Sequence, residues 1–76
     1  MLTEAIEAFD ALEINSRYRL KAGVESKQFV CGEVYTLHSK RVVSSMLFPI
    51  ALFVEEGSGR MQQKRPGTLL ELAEAE

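Results

Sequence analysis

The sequence predicts a single α+β domain built on a small antiparallel sheet of three to four strands, and three observations carry that prediction. Residues 2–12 have helical periodicity, short β-branched and aromatic runs recur between residues 17 and 54, and Gly, Pro and Asn residues punctuate the boundaries between them. A length of 76 residues with 46% hydrophobic and 26% charged positions describes one globular domain, not a disordered tail.

Leu2, Ile6, Phe9 and Leu12 share one helical face with Ala5 and Ala8 beside them, and Glu4, Glu7 and Asp10 fall on the other. Thr3 is the predicted N-cap, the two glutamates sit where the helix dipole favours them, and Asn15-Ser16 ends the helix. Tyr18 and Leu20 alternate with Arg17, Arg19 and Lys21, the period of a strand with one apolar face, closed by Ala22-Gly23. Lys27 to Leu37 is rich in strand formers and reads as two short strands or one strand bent at Gly32. From Ser39 the spacing of Val42, Val43, Met46 and Leu47 predicts a short central helix, while the β-branched content leaves an all-strand reading of 41–54 open. Pro49 excludes helical geometry at Phe48, so residues 50–54 read as a buried strand.

Glu55 to Gly59 closes the compact part, which assigns residues 1–57 to the α+β domain, 58–67 to a basic arm and 68–76 to a C-terminal helix. Thr68-Leu69-Leu70-Glu71 has the form of a capping box. A helix this short is not stable alone in water, so its stripe of Leu69, Leu70 and Leu72 must dock, either back on the sheet or on another chain.

Few residues are suited to catalysis. His38 is the only histidine, no nucleophile elbow is present, and a partly exposed turn position is its expected role. Cys31 and His38 are the only soft metal ligands, fewer than a structural zinc site needs. Gly57-Ser58-Gly59-Arg60 lacks the Gly-Lys-Ser/Thr ending of a phosphate loop, and the adjacent Glu55 and Glu56 would point to opposite faces of a strand. The expectation is therefore a non-enzyme with no catalytic residue, cofactor, metal or small-molecule substrate. As the sole cysteine, within Phe29-Val30-Cys31, Cys31 is expected to be buried and inert, which points to a reducing compartment. Met46 to Val54 is too short to cross a membrane and the first residues lack a secretory pattern, so the expected location is a bacterial or host cytoplasm, or a virion.

Binding is the remaining class. A chain this small, with no internal disulfide, secures only about 3–5 kcal/mol from its own core, which makes assembly the expected source of further stability. Residues 1–14 carry Glu4, Glu7, Asp10 and Glu13 and no base, whereas all nine Lys and Arg residues lie between Arg17 and Arg65 against four acids. Lys40, Arg41, Arg60, Lys64 and Arg65, with Leu69, Leu70 and Leu72, are the candidate protein-binding residues. The same bases could contact phosphates, but the net charge of −2 and the lack of an RNA-binding aromatic signature favour a protein partner, a homo-oligomer or larger assembly, over nucleic acid. Acidic ends and a basic middle would suit copies that pair head to tail.

The segment Phe29-Val30-Cys31-Gly32-Glu33-Val34-Tyr35-Thr36-Leu37, followed by the expected short helix and Ala51-Leu52-Phe53-Val54-Glu55, resembles small bacteriophage proteins with a compact, SH3-like sheet. The resemblance covers residues 17–56 and carries over no functional residue. It implies an accessory protein of phage type. The expected function is a structural or adaptor protein that docks on a larger assembly through its terminal segments; the alternative is a small inhibitor that blocks a host protein.

Overall fold

The structure, a computed structural model, describes residues 2–43 and 48–75, and for Leu2, Val42, Val43 and Phe48 it describes the backbone. Helix α1 (Leu2–Ala11) is followed by strands β1 (Arg17–Leu20), β2 (Val34–Val43), β3 (Phe48–Glu55) and β4 (Met61–Lys64), a single helical turn α2 (Pro66–Leu69) and strand β5 (Leu72–Glu74). All five strands form one antiparallel sheet in the order β4-β3-β2-β1-β5. The α+β class with a small antiparallel sheet stands, with one strand more than the sequence suggested.

The sheet has an inner and an outer face. Tyr18, Leu20, Tyr35, Leu37, Ala51, Phe53 and Leu72 point inward, where Phe9 and Leu12 of α1, Leu69 of α2 and Phe29 of the 21–33 loop close over them. Phe53 lies at the centre, in edge-to-face contact with Tyr18, Phe29 and Tyr35 at 6.1–6.5 Å between ring centroids. Both helices therefore pack on the inner side. Among the described residues no helix is long and apolar enough to cross a membrane.

Where α1 ends, four groups take up its last backbone groups or turn the chain. Asn15 adopts a left-handed backbone, φ 73°, a conformation Asn accepts more readily than most residues. The Tyr18 hydroxyl accepts from the Glu13 backbone N–H at 2.9 Å. Leu37 N–H donates to Ser16 O at 3.0 Å and Asn15 N–H to Leu37 O at 2.7 Å, tying this turn to β2. The fourth group is Lys40, whose Nζ donates to the carbonyls of Phe9, Asp10 and Leu12 at 3.3, 3.3 and 2.8 Å. An ammonium at the negative end of a helix dipole is favourably placed.

Lys40 reaches α1 because of a bulge in β2. Leu37 pairs with Phe53, but Ser39 pairs with Leu52, so His38 is an extra residue. Without the bulge Ser39 would face inward and Lys40 outward; with it, Lys40 pairs with Ala51 on the inner face. The long 21–33 loop is pinned in turn. Lys64 Nζ donates to Gln28 O at 2.6 Å and lies 4.9 Å from the Phe29 ring centroid. The Tyr35 hydroxyl accepts from Val30 N–H at 2.8 Å, and Ser26 Oγ accepts from Phe29 N–H while donating to the Glu71 carboxylate.

Several expectations are corrected here. The central helix is absent from the described part of 39–48: β2 runs on to Val43 and β3 begins at Phe48, while Met46 and Leu47 lie outside the described residues. The β-branched residues of this stretch satisfy their backbone groups in the β2–β3 ladder, which is the all-strand reading. The supposed arm is strand β4 and turn α2, and the supposed terminal helix contributes only its first residues to α2 before becoming β5. Thr68 does not cap a helix; its hydroxyl donates to Arg65 O at 2.9 Å, and Pro66 occupies the first helical position instead. Residues 27–33 form loop and not strand, because Gly32 takes φ 85° and Glu33 N–H closes a turn to Val30 O. Cys31 sits in that turn and is exposed, not buried. Helix α1 begins at Leu2, which places Thr3 inside its first turn.

Candidate protein-binding face

The eight residues singled out from sequence do not converge. Leu69 and Leu72 are 3% and 7% exposed and belong to the chain's own core, so the leucine stripe folds back on the sheet; Leu70 points outward at 36%. Lys40 is committed to the end of α1 and Lys64 to the 21–33 loop. Burial holds the Lys64 ammonium below the usual lysine range, with Glu55 and Glu71 pulling the other way. Arg60 is exposed in the β3–β4 turn, Arg65 is exposed ahead of α2, and Arg41 lies on β2 facing away from the core.

What the fold does bring together is the outer sheet face. Residues directly opposite in an antiparallel pair share a face, so the register defines its rows. One row runs Arg17, Thr36, Val54 and Met61 from β1 to β4. Beside it, Ser39, Leu52 and Gln63 form a second row, and Arg41 and Ile50 a third. On the other side Ala73, Arg19 and Val34 complete the surface. The centre is apolar: Ile50, Leu52 and Val54 on β3 and Val34 on β2 are half-buried, and Met61 is 53% exposed. Three arginines frame it, and among the described residues the carboxylate that borders these rows is Glu56, whose N–H donates to Val34 O at 2.9 Å and so continues the row of Arg19 and Val34. At this rim the Glu56 carboxylate accepts from Arg17 Nε at 2.6 Å and from Arg17 Nη2 at 3.1 Å.

Sequence reasoning missed this face for a definite reason. Reading 50–54 as buried on both sides concealed that Ile50, Leu52 and Val54 alternate with the inward Ala51 and Phe53. The alternation of Arg17 and Arg19 with Tyr18 and Leu20 is signal enough to place the two arginines on this face once β1 pairs with β2.

The other features are less organised. His38 is exposed at the bulge, its Nδ1 3.4 Å from the neighbouring Ser39 hydroxyl. Among the described residues no group of three His, Cys, Asp or Glu side chains could hold a metal. A shallow, open depression of about 500 Å³ is lined by polar groups at the α1–β1 turn and β5, including Glu13, Arg17 and Glu74. It has no apolar anchor of the kind a small-molecule site uses. Comparison of the chain with protein families, curated proteins and solved structures finds no match.

Proposed function

We propose that the chain is a non-enzymatic structural or adaptor module that docks on a larger protein assembly, of the kind a bacteriophage virion or its assembly line employs. The observation that supports this is the outer face of the sheet. Both helices and the aromatic core lie on the other side, yet β3 presents Ile50, Leu52 and Val54 outward in continuous register with Val34 and Met61. An apolar centre bordered by three arginines, with Glu56 on Arg17 at the rim, has the make-up of a protein-interface centre with its rim. The small antiparallel sheet also suits the compact phage proteins that residues 17–56 resemble. Docking is thus assigned to the sheet face, since the C-terminal leucines are used within the fold.

The test is site-specific photo-crosslinking in cells that make the protein. A photoreactive residue at Leu52 should give discrete protein adducts, whereas one at the exposed loop residue Lys27 should give none above background. Equal or absent adducts at both positions would remove the basis for a binding module.

A further inference from the structure

The outer sheet face needs an occupant that is elongated, acidic and carries an apolar residue, and this chain displays such a surface itself. The solvent side of α1 presents Glu4, Glu7 and Asp10, continued by Glu13, and among the described residues none of these carboxylates has an ion pair. Ile6 lies among them, 41% exposed although large and apolar. A helix of 10 residues is about 15 Å long, and a strand of eight residues spans about 26 Å, so α1 fits within the length of β3.

Resting on the binding-module reading, we propose that the outer sheet face receives the acidic face of α1 from a second copy of this chain. Ile6 enters the apolar centre around Leu52 and Val54, and the carboxylates meet Arg19 and Arg41. Arg17 contributes less, because Glu56 already engages it. The two surfaces cannot meet within one molecule, since α1 packs on the opposite side of the same sheet. Each copy therefore offers a helix in one direction and a sheet face in the other. Such a contact is heterologous and propagates from copy to copy, closing into a ring or extending as a filament. A nucleic acid would satisfy the arginines but not the apolar centre between them.

Charge reversal on the full-length chain tests this by sedimentation velocity at rising concentration. One variant carries Glu7→Lys, Asp10→Lys and Glu13→Lys; the other carries Arg19→Glu and Arg41→Glu. All five positions are exposed, and circular dichroism verifies that each variant is folded. The wild-type chain is expected to self-associate, less so in 1 M salt, where the Debye length falls to about 3 Å. Each variant alone should associate about tenfold more weakly or worse, and an equimolar mixture of the two should recover association, because reversed helix then meets reversed sheet. A wild-type chain that stays monomeric at millimolar concentration, variants that associate as wild type does, or a mixture no tighter than its components would each overturn the inference. If the purified chain is monomeric while the photoreactive residue at Leu52 still captures another protein, the second-copy assignment fails and the binding module stands.

Discussion

Replacing Lys40 with methionine removes the cation that donates to the carbonyls at the end of α1. Methionine keeps most of the length and the apolar stem but removes the ammonium, leaving the carbonyls of Phe9, Asp10 and Leu12 without their donor. A hydrogen bond from a charged donor contributes about 1.5–3 kcal/mol, and the 2.8 Å bond to Leu12 O is the best of the three. The helix dipole adds about 0.3–1 kcal/mol, and the Phe9 ring, 5.4 Å from Nζ, about 0.5 kcal/mol more. Water reaches part of this site and recovers some of the loss, so the expected cost of Lys40→Met is about 2–3 kcal/mol. With a urea dependence of about 1 kcal/mol per molar for a domain of this size, the unfolding midpoint should fall by about 2–3 M. Arg41→Met is the control: its neighbour in sequence faces the opposite side of the sheet and should shift the midpoint by no more than about 0.5 M. If the two variants lose the same stability, Lys40 is not the cap of α1 and the role assigned to the bulge is wrong.

Three further outcomes are expected. Burial, reinforced by Glu55 and Glu33, raises the Tyr35 hydroxyl above its ordinary value of 10.0, although the Val30 N–H bond opposes this. The native state then keeps its proton where the unfolded chain has lost it, so this contribution is complete below pH 10 and disappears as pH rises towards the native value. Lys64 has the opposite slope, its lowered native value making stability rise with pH until 10.5. Tyr35→Phe should leave the Lys64 slope in place and flatten the alkaline loss in urea midpoints measured from pH 8 to 11; an unchanged difference from wild type across that range would refute the assignment. Asn15→Val forces a β-branched residue into φ 73° and should cost about 1–2 kcal/mol in the same assay, whereas Asn15→Gly should be near neutral. Deleting His38 removes the extra residue while leaving Leu37 and Lys40 facing inward; the shortened chain should fold, and Lys40→Met should still destabilise it, a result that loss of folding would contradict.

How much of this was legible depended on whether a segment's partner lay nearby. The amphipathic spacing of Leu2 to Leu12 located α1, and Phe9 and Leu12 are buried as that spacing requires, whereas Ile6, which it put on the same face, is 41% exposed. Period-two alternation located β1, with Tyr18 and Leu20 inward. The run 50–54 was recognised as strand but not as two-faced. Strand β4, Met61-Gln62-Gln63-Lys64, gave no apolar alternation, because on this edge of the sheet its single buried side chain is a lysine. Strand β5 is written in Leu, Ala and Glu, all good helix formers, and becomes extended only through the open edge of β1. The Cys31 expectation failed because three neighbouring residues diverge: Phe29 is 3% exposed, while Val30, whose N–H donates to the Tyr35 hydroxyl, and Cys31 are exposed. Among the candidate binding residues, the basic side chains nearest the core, Lys40 and Lys64, find intramolecular acceptors far away in sequence, which no local pattern announces.

The pairing of Tyr18 with Glu74 and Leu20 with Leu72 also dictates an order of events during synthesis. Strand β1 emerges from the ribosome ahead of β5, and the edge it offers finds its mate only when residues 72–74 are made. Until then the nascent polypeptide carries an open hydrogen-bonding edge beside Tyr18, the kind of template on which stalled or truncated chains aggregate. Polypeptides released before residue 72 should accumulate as insoluble material, whereas those that include it can seal the seam themselves.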